Sequence, residues 1–79
     1  MNDHVYRVIY LVGTSSKSID DAIQNAVSRA SRTLKNLRWF ELVEARGDIV
    51  GGKVSHYQAS VRVGFTIEDT KKGPATDEF

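Results

Sequence analysis

One tryptophan, Trp39, stands within LKNLRWFELVEARG (residues 34–47), and it is the side chain best able to hold a planar partner. The segment reads as a helix end running into a strand. Neighbouring strand side chains point to opposite faces, so Trp39 and Phe40 cannot both enter one core. Two readings of Trp39 follow from the residues. It fills a subunit interface, where tryptophan is enriched, or it stacks on a flat aromatic ligand. The remaining chemistry is sparse. There is no cysteine, and His4 and His56 read as surface histidines rather than a metal cluster. Asp20 and Asp21 are accounted for by helix capping. No nucleophile–base spacing, paired acid and base, or glycine-rich phosphate loop is present, so an enzyme is not expected and no catalytic or metal-ligating residue is assigned.

The chain has 79 residues, with 11 basic and 10 acidic side chains and a formal net charge of +1. A domain of this size hides only about 60% of its unfolded surface and has no disulfide to help, which makes assembly into an oligomer the expected remedy. The near-neutral balance argues against nucleic acid as the main partner. No apolar run reaches membrane-spanning length and no signal pattern opens the chain, so a cytoplasmic protein without a membrane partner is expected.

The elements that must position Trp39 are legible. Val5 to Gly13 is rich in β-branched and aromatic residues, reading as a strand buried on much of both faces. Ser18 is the expected helix N-cap, with Asp20 and Asp21 in the first turn. Apolar residues at Ile19, Ala22, Ile23, Ala26, Val27, Ala30, Leu34 and Leu37 keep three- and four-residue steps, which carries the helix to a stop at Asn36. Two strands follow, joined by Gly51-Gly52, a two-residue hairpin signal. The second alternates cleanly, with Tyr57, Ala59, Val61, Val63, Phe65 and Ile67 on one face. Residues 1–68 form one domain, and the proline-containing stretch 69–79 reads as a flexible tail.

A turn centred on Gly51-Gly52 sets Phe40 against Val63, Leu42 against Val61 and Glu41 against Arg62. It also sets Val43 against Ser60, Ala45 against Gln58 and Trp39 over Gly64, unless Gly47 introduces a bulge. In this register Trp39 faces away from the helix. The fold class is α+β, in the order β-α-β-β: a three-stranded antiparallel sheet curled around one long helix.

Residues 5–68 resemble the dodecins, small flavin-binding proteins that assemble as hollow homododecamers. The resemblance is carried by YRVIYLVGTSSKSIDDAIQNAVSRASRTLKNLRWFELVEARG and VSHYQASVRVGFTIE, most specifically by NLRWFELVEARG with YQ and VGF at suitable distances. It implies a hollow homo-oligomer that stores and sequesters FMN, riboflavin or a related flavin. In such a shell, tryptophans of symmetry-related subunits sandwich a pair of flavins and quench their photochemistry, a photoprotective role without turnover. By the same resemblance Trp39 is the stacking platform and Gln58 hydrogen-bonds the flavin ring.

Three arginines complete the candidate ligand set. Arg46 matches the family's arginine in the ARG segment and pairs with a flavin phosphate or an interface carboxylate. Arg38 contacts phosphate or caps the helix end. Arg7, interrupting the first strand, forms a structural ion pair or a ligand contact. Thr66 stands where some members carry a basic residue that helps bind coenzyme A, and that departure counts against coenzyme A as a ligand. The alternative functions are an oligomerisation or protein-interaction module that uses the Trp39 face without a ligand, and a sheet-surface binder of single-stranded nucleic acid.

Overall fold

The structure, a computed structural model, describes residues 5–67. His4, Glu68 and the 69–79 tail lie outside the described residues. The elements run β1 (Tyr6–Ser15), α1 (Ile19–Ala30), β2 (Leu37–Val50) and β3 (Lys53–Thr66). The strands form one antiparallel sheet in the order β1-β3-β2, with β3 central. This is the expected β-α-β-β architecture.

The hydroxyl-rich loop before α1 is a cap built from side chains. Ser18 is extended, at φ −169°, and its hydroxyl accepts the Asp21 N–H at 3.0 Å. Ser15 donates to Asp21 Oδ2 at 2.7 Å and accepts the Lys17 N–H at 2.8 Å. The otherwise orphaned Asp21 N–H of the first turn is thereby satisfied, the Asp21 carboxylate and the Lys17 N–H are tied to Ser15, and the two aspartates sit at the positive end of the helix dipole.

The helix is shorter than its apolar spacing implies. It ends at Ala30, capped by Ser31, and does not continue to Leu34 and Leu37. Arg32 N–H donates to the Arg29 carbonyl at 3.1 Å and Thr33 N–H to that of Ala30 at 3.2 Å, tighter turns than the α-helix makes. The Ser31 hydroxyl bonds the Ser28 carbonyl at 2.8 Å, one of the local bonds by which Ser and Thr compete with helix. Asn36 does not stop the helix. It takes a left-handed φ of 64°, which Asn tolerates better than most residues, and turns the chain into β2. Leu37 is the first residue of β2 and still packs against the core, so its apolar character misled the periodicity.

Helix α1 lies on β1 and β3. Its buried alanines, Ala22, Ala26 and Ala30, share the interior with Ala59, Val61 and Val63 of β3, flanked by Ile9, Leu11, Ile23 and Leu37. Small side chains let the helix come close to the sheet. The approach is tightest at Gly13, where a Cβ would collide with the Ala22 carbonyl oxygen and stand 2.9 Å from the Ala26 Cβ.

One helix leaves much of the sheet bare. Phe40 and Leu42 oppose Val63 and Val61, on the helix side, yet remain 51% and 42% exposed. On the other face of β1, Val8, Tyr10 and Val12 are exposed as well. The expectation that the first strand is buried on both faces therefore holds on one face of a single chain. At the hairpin, Gly51 and Gly52 both have positive φ (61° and 78°), the pairing of signs that a type I′ turn requires.

Gly13→Ala should lower stability by about 1–3 kcal/mol in denaturant unfolding, because its new methyl group meets helix backbone rather than a movable side chain. Wild-type stability in that variant would show that the helix can slide off the strand at no cost.

Candidate functional site

The β2–β3 ladder decides which side chains share the outward face. Phe40–Val63, Glu41–Arg62, Leu42–Val61 and Trp39–Gly64 pair as expected. Beyond Leu42 the register differs. Glu44, not Val43, meets Ser60, and Arg46, not Ala45, meets Gln58. The irregularity is at Val43, four residues before the suspected Gly47. One extra residue in β2 turns every following side chain to the other face. Ala45 and Gly47 consequently oppose Ala59 and Tyr57 on the helix side, while Arg46 joins Gln58 on the face that carries Trp39. A second irregularity, between Asp48 and Ile49, lies on the β3 side and restores the register at the turn.

Trp39 is outside the core. Gly64, its partner in β3, alternates with Val63, which is buried beneath the helix, so Gly64 presents its α-carbon to the opposite face. A Cβ built on Gly64 would run into Cε2 and Cζ2 of the indole and lie 2.7 Å from its Nε1. The ring thus rests on Gly64. Tyr6 of β1 meets it edge-on, with centroids 5.9 Å apart and planes at 70°, the edge-to-face arrangement that aromatic quadrupoles favour. Trp39 nevertheless keeps 39% of its surface exposed.

The other end of the same face is polar. Gln58 stands between Thr14 of β1 and Arg46 of β2. Those three residues, with Asp48, His56, Gly47 and Tyr57, line a shallow recess of about 80 Å³. Arg46 Nη1 is 3.9 Å from Glu44 Oε2, an exposed and weak pair that leaves the guanidinium able to take another anion. Arg62, between the two ends, is held by Glu41, with Nη2 and Nε 2.9 and 3.1 Å from Oε1.

Within one chain, then, Gln58 and Arg46 come together and Trp39 does not join them. Gly64 and Gln58 are six residues apart in β3, roughly 20 Å along an extended strand. Arg38 lies beside Trp39 at an irregular point of β2, well past Ser31, so it does not cap α1. Arg7 pairs with Phe65 and shares a face of β1 with Ile9 and Leu11, which puts it on the helix side, away from the Trp39 face. Tyr6 and Thr14 escaped the sequence reading. Only the cross-strand register brings them beside Trp39 and Gln58, and nothing in their local sequence signals it. Among the described residues no group of three or more His, Asp and Glu side chains could hold a metal ion, and no helix is long and apolar enough to cross a membrane.

The candidate site is therefore an open sheet face, with an aromatic ring at one end and hydrogen-bonding groups at the other, rather than an enclosed cleft. The chain belongs to the dodecin family: the family model for dodecins matches residues 5–68. It is 47% identical over 66 residues to the dodecin of Thermus thermophilus, covering 84% of this chain and 96% of that one. The solved dodecin of Streptomyces davaonensis superposes with a TM-score of 0.79 at 47% identity, covering 86% of this chain and all of the other. A more distant relative, described as a calcium-chelating dodecin of Mycobacterium tuberculosis with a calcium-binding site, gives a TM-score of 0.69 at 27% identity over 90% of this chain and 99% of its own.

Deleting Val43 should leave Glu44 opposite Ser60 and Arg46 opposite Gln58, because the deletion removes a bulged residue and not a paired one. Cross-strand contacts between Arg46 and Gln58 measured by nuclear magnetic resonance should survive it. Loss of those contacts would show that the pairing beyond Leu42 depends on Val43 itself.

Proposed function

We propose that this protein binds FMN or a closely related flavin between subunits of a homo-oligomer and holds it in a photochemically silent state. Family membership supports assembly from copies of one chain, and the exposed apolar residues on both faces of the sheet supply surface for it. The observation that carries the reading is Trp39, a one-sided indole platform on the sheet face turned away from the helix.

The residues fit an isoalloxazine. The glycine beneath Trp39 lets the indole lie close against the sheet, and the electron-rich indole favours an offset stack on an electron-poor ring by about 1 kcal/mol beyond area burial. Gln58 carries both a donor and an acceptor, matching a pyrimidine edge that presents both kinds. Arg46 beside Gln58, or Arg38 beside Trp39, supplies a cation for a phosphate. Since Trp39 and Gln58 lie roughly 20 Å apart in one chain, they meet a single ring only when two chains contribute one each. Two copies related by a two-fold axis then offer two indoles to a pair of rings.

The bound flavin would supply a light-excitable electron acceptor. Trp39 would lie against it as the electron-rich partner that returns the excited ring to its ground state, so excitation would decay without net chemistry. This is sequestration rather than turnover. Thr66 provides no cation for coenzyme A: it is buried in β3, and its N–H donates to the Asn36 carbonyl at 3.2 Å.

Titrating the purified protein into FMN should quench flavin fluorescence strongly and saturably. Bound flavin that keeps its emission would overturn the quenching role, and a protein that ignores added flavin would leave the Trp39 face as a pure assembly surface. Trp39→Ala should abolish binding while size-exclusion chromatography still reports the assembled state; dissociation into single chains would assign the indole to the subunit interface instead. Gln58→Ala should weaken binding by roughly 1–3 kcal/mol, measured by calorimetry, through unpaired polar groups on the ring.

A further inference from the structure

Gly64 has no backbone reason to be a glycine. It lies inside β3 without a positive φ, a feature that Gly51 and Gly52 alone show among the described glycines. Any L-residue can adopt that conformation, and glycine in a strand interior is unfavourable relative to alanine. The three nearest atoms that a Cβ there would meet all belong to one side chain, the Trp39 indole. By contrast, a Cβ on Gly13 or Gly47 would strike backbone oxygen, the ordinary sign of a close approach between chain segments.

We infer that Gly64 is a positioning residue: its missing side chain is the seat that lays the Trp39 indole against the sheet, with Tyr6 as the lateral stop, so the ring is held in place before any ligand arrives. The seat covers one face of the indole and Tyr6 abuts its edge, which leaves the other face as the exposed platform. The inference rests on the flavin reading for its ligand but not for its geometry. Its consequence is preorganisation. An indole already seated loses little rotational freedom when a flat aromatic ring stacks on it, whereas an indole lifted by a methyl group must be reordered or is tilted out of the stacking plane. Because the two rings of a sandwich are parallel, a tilt on each of two copies would act on both sides of the ligand.

The test is Gly64→Ala in the full-length assembled protein, alone and combined with Trp39→Ala. In the otherwise wild-type chain Gly64→Ala should change the near-ultraviolet circular dichroism of the lone tryptophan and weaken FMN binding by about tenfold or more, while size-exclusion chromatography shows the assembly retained. In the Trp39→Ala background the same substitution should be neutral or stabilising, because the ring that it strikes is gone. If Gly64→Ala alone fails to fold, refolding of the double variant carries the same conclusion. An unchanged tryptophan signal with wild-type FMN affinity would overturn the inference, as would equal destabilisation in both backgrounds, which marks a backbone role. Tyr6→Leu should likewise alter the tryptophan signal, and an unaltered one would remove Tyr6 from the seat. Should the wild-type protein bind no FMN, the flavin reading fails, and the circular dichroism and stability arms judge the seat by themselves.

Discussion

A single twelve-residue helix has to cover a sheet whose two longer strands run for fourteen residues each, and it cannot. Alanines on α1 bring it close to β1 and β3, which seals a small interior around Val61 and Val63. Much of the sheet outside that footprint stays bare: Phe40 and Leu42 on the near side, Val8, Tyr10 and Val12 on the far side, Ile49 and Val50 at the hairpin. Burial drives folding roughly in proportion to apolar area, so a chain that buries so little by itself has apolar surface that contact with other copies would stabilise by covering. The uncovered sheet is thus the cost of a short helix and the resource from which a binding face is made.

The β2–β3 hairpin organises that resource. Its type I′ turn sets the starting register, and the irregularities at Val43 and before Ile49 modify it along the way. The bulge at Val43 has the larger effect. It swings Arg46 to the side of Gln58 and leaves Ala45 and Gly47 on the helix side of the sheet, so polar groups gather on one face and small ones on the other. An uninterrupted ladder would have set Arg46 on the helix side opposite Tyr57. Bulges next to binding sites re-aim side chains in this manner, and here one residue separates a usable polar end from a misplaced charge.

At the opposite end the contact is aromatic on backbone. Trp39 is paired with the one residue type that leaves room for a flat indole, and Tyr6 of β1 closes its flank. All three strands contribute to this corner, just as all three contribute Thr14, Gln58 and Arg46 at the polar end. The two ends are rigidly related through β3 yet too far apart to serve one ligand. In the proposed assembly, symmetry between copies would bring them together more readily than flexibility within a chain.

The sequence by itself determined the elements and their order, because periodicity and turn chemistry are local. Alternation along Tyr57–Ile67, the Ser18 cap and the Gly51-Gly52 turn each rest on residues close in the chain; the Trp39–Gly64 pairing was also anticipated, because the irregularities at Val43 and before Ile49 offset each other. Its errors have a common origin. Leu34 and Leu37 continued the helical spacing although Ser31 and Thr33 had already turned to local bonds, and Leu37 is apolar for the sake of a strand. The face of Arg46, the flank offered by Tyr6 and the separation of Arg7 from Trp39 were decided only by tertiary structure. Each depends on a cross-strand register, and a register is set by hydrogen bonds and packing between residues far apart in sequence, where one extra residue reverses every side chain beyond it.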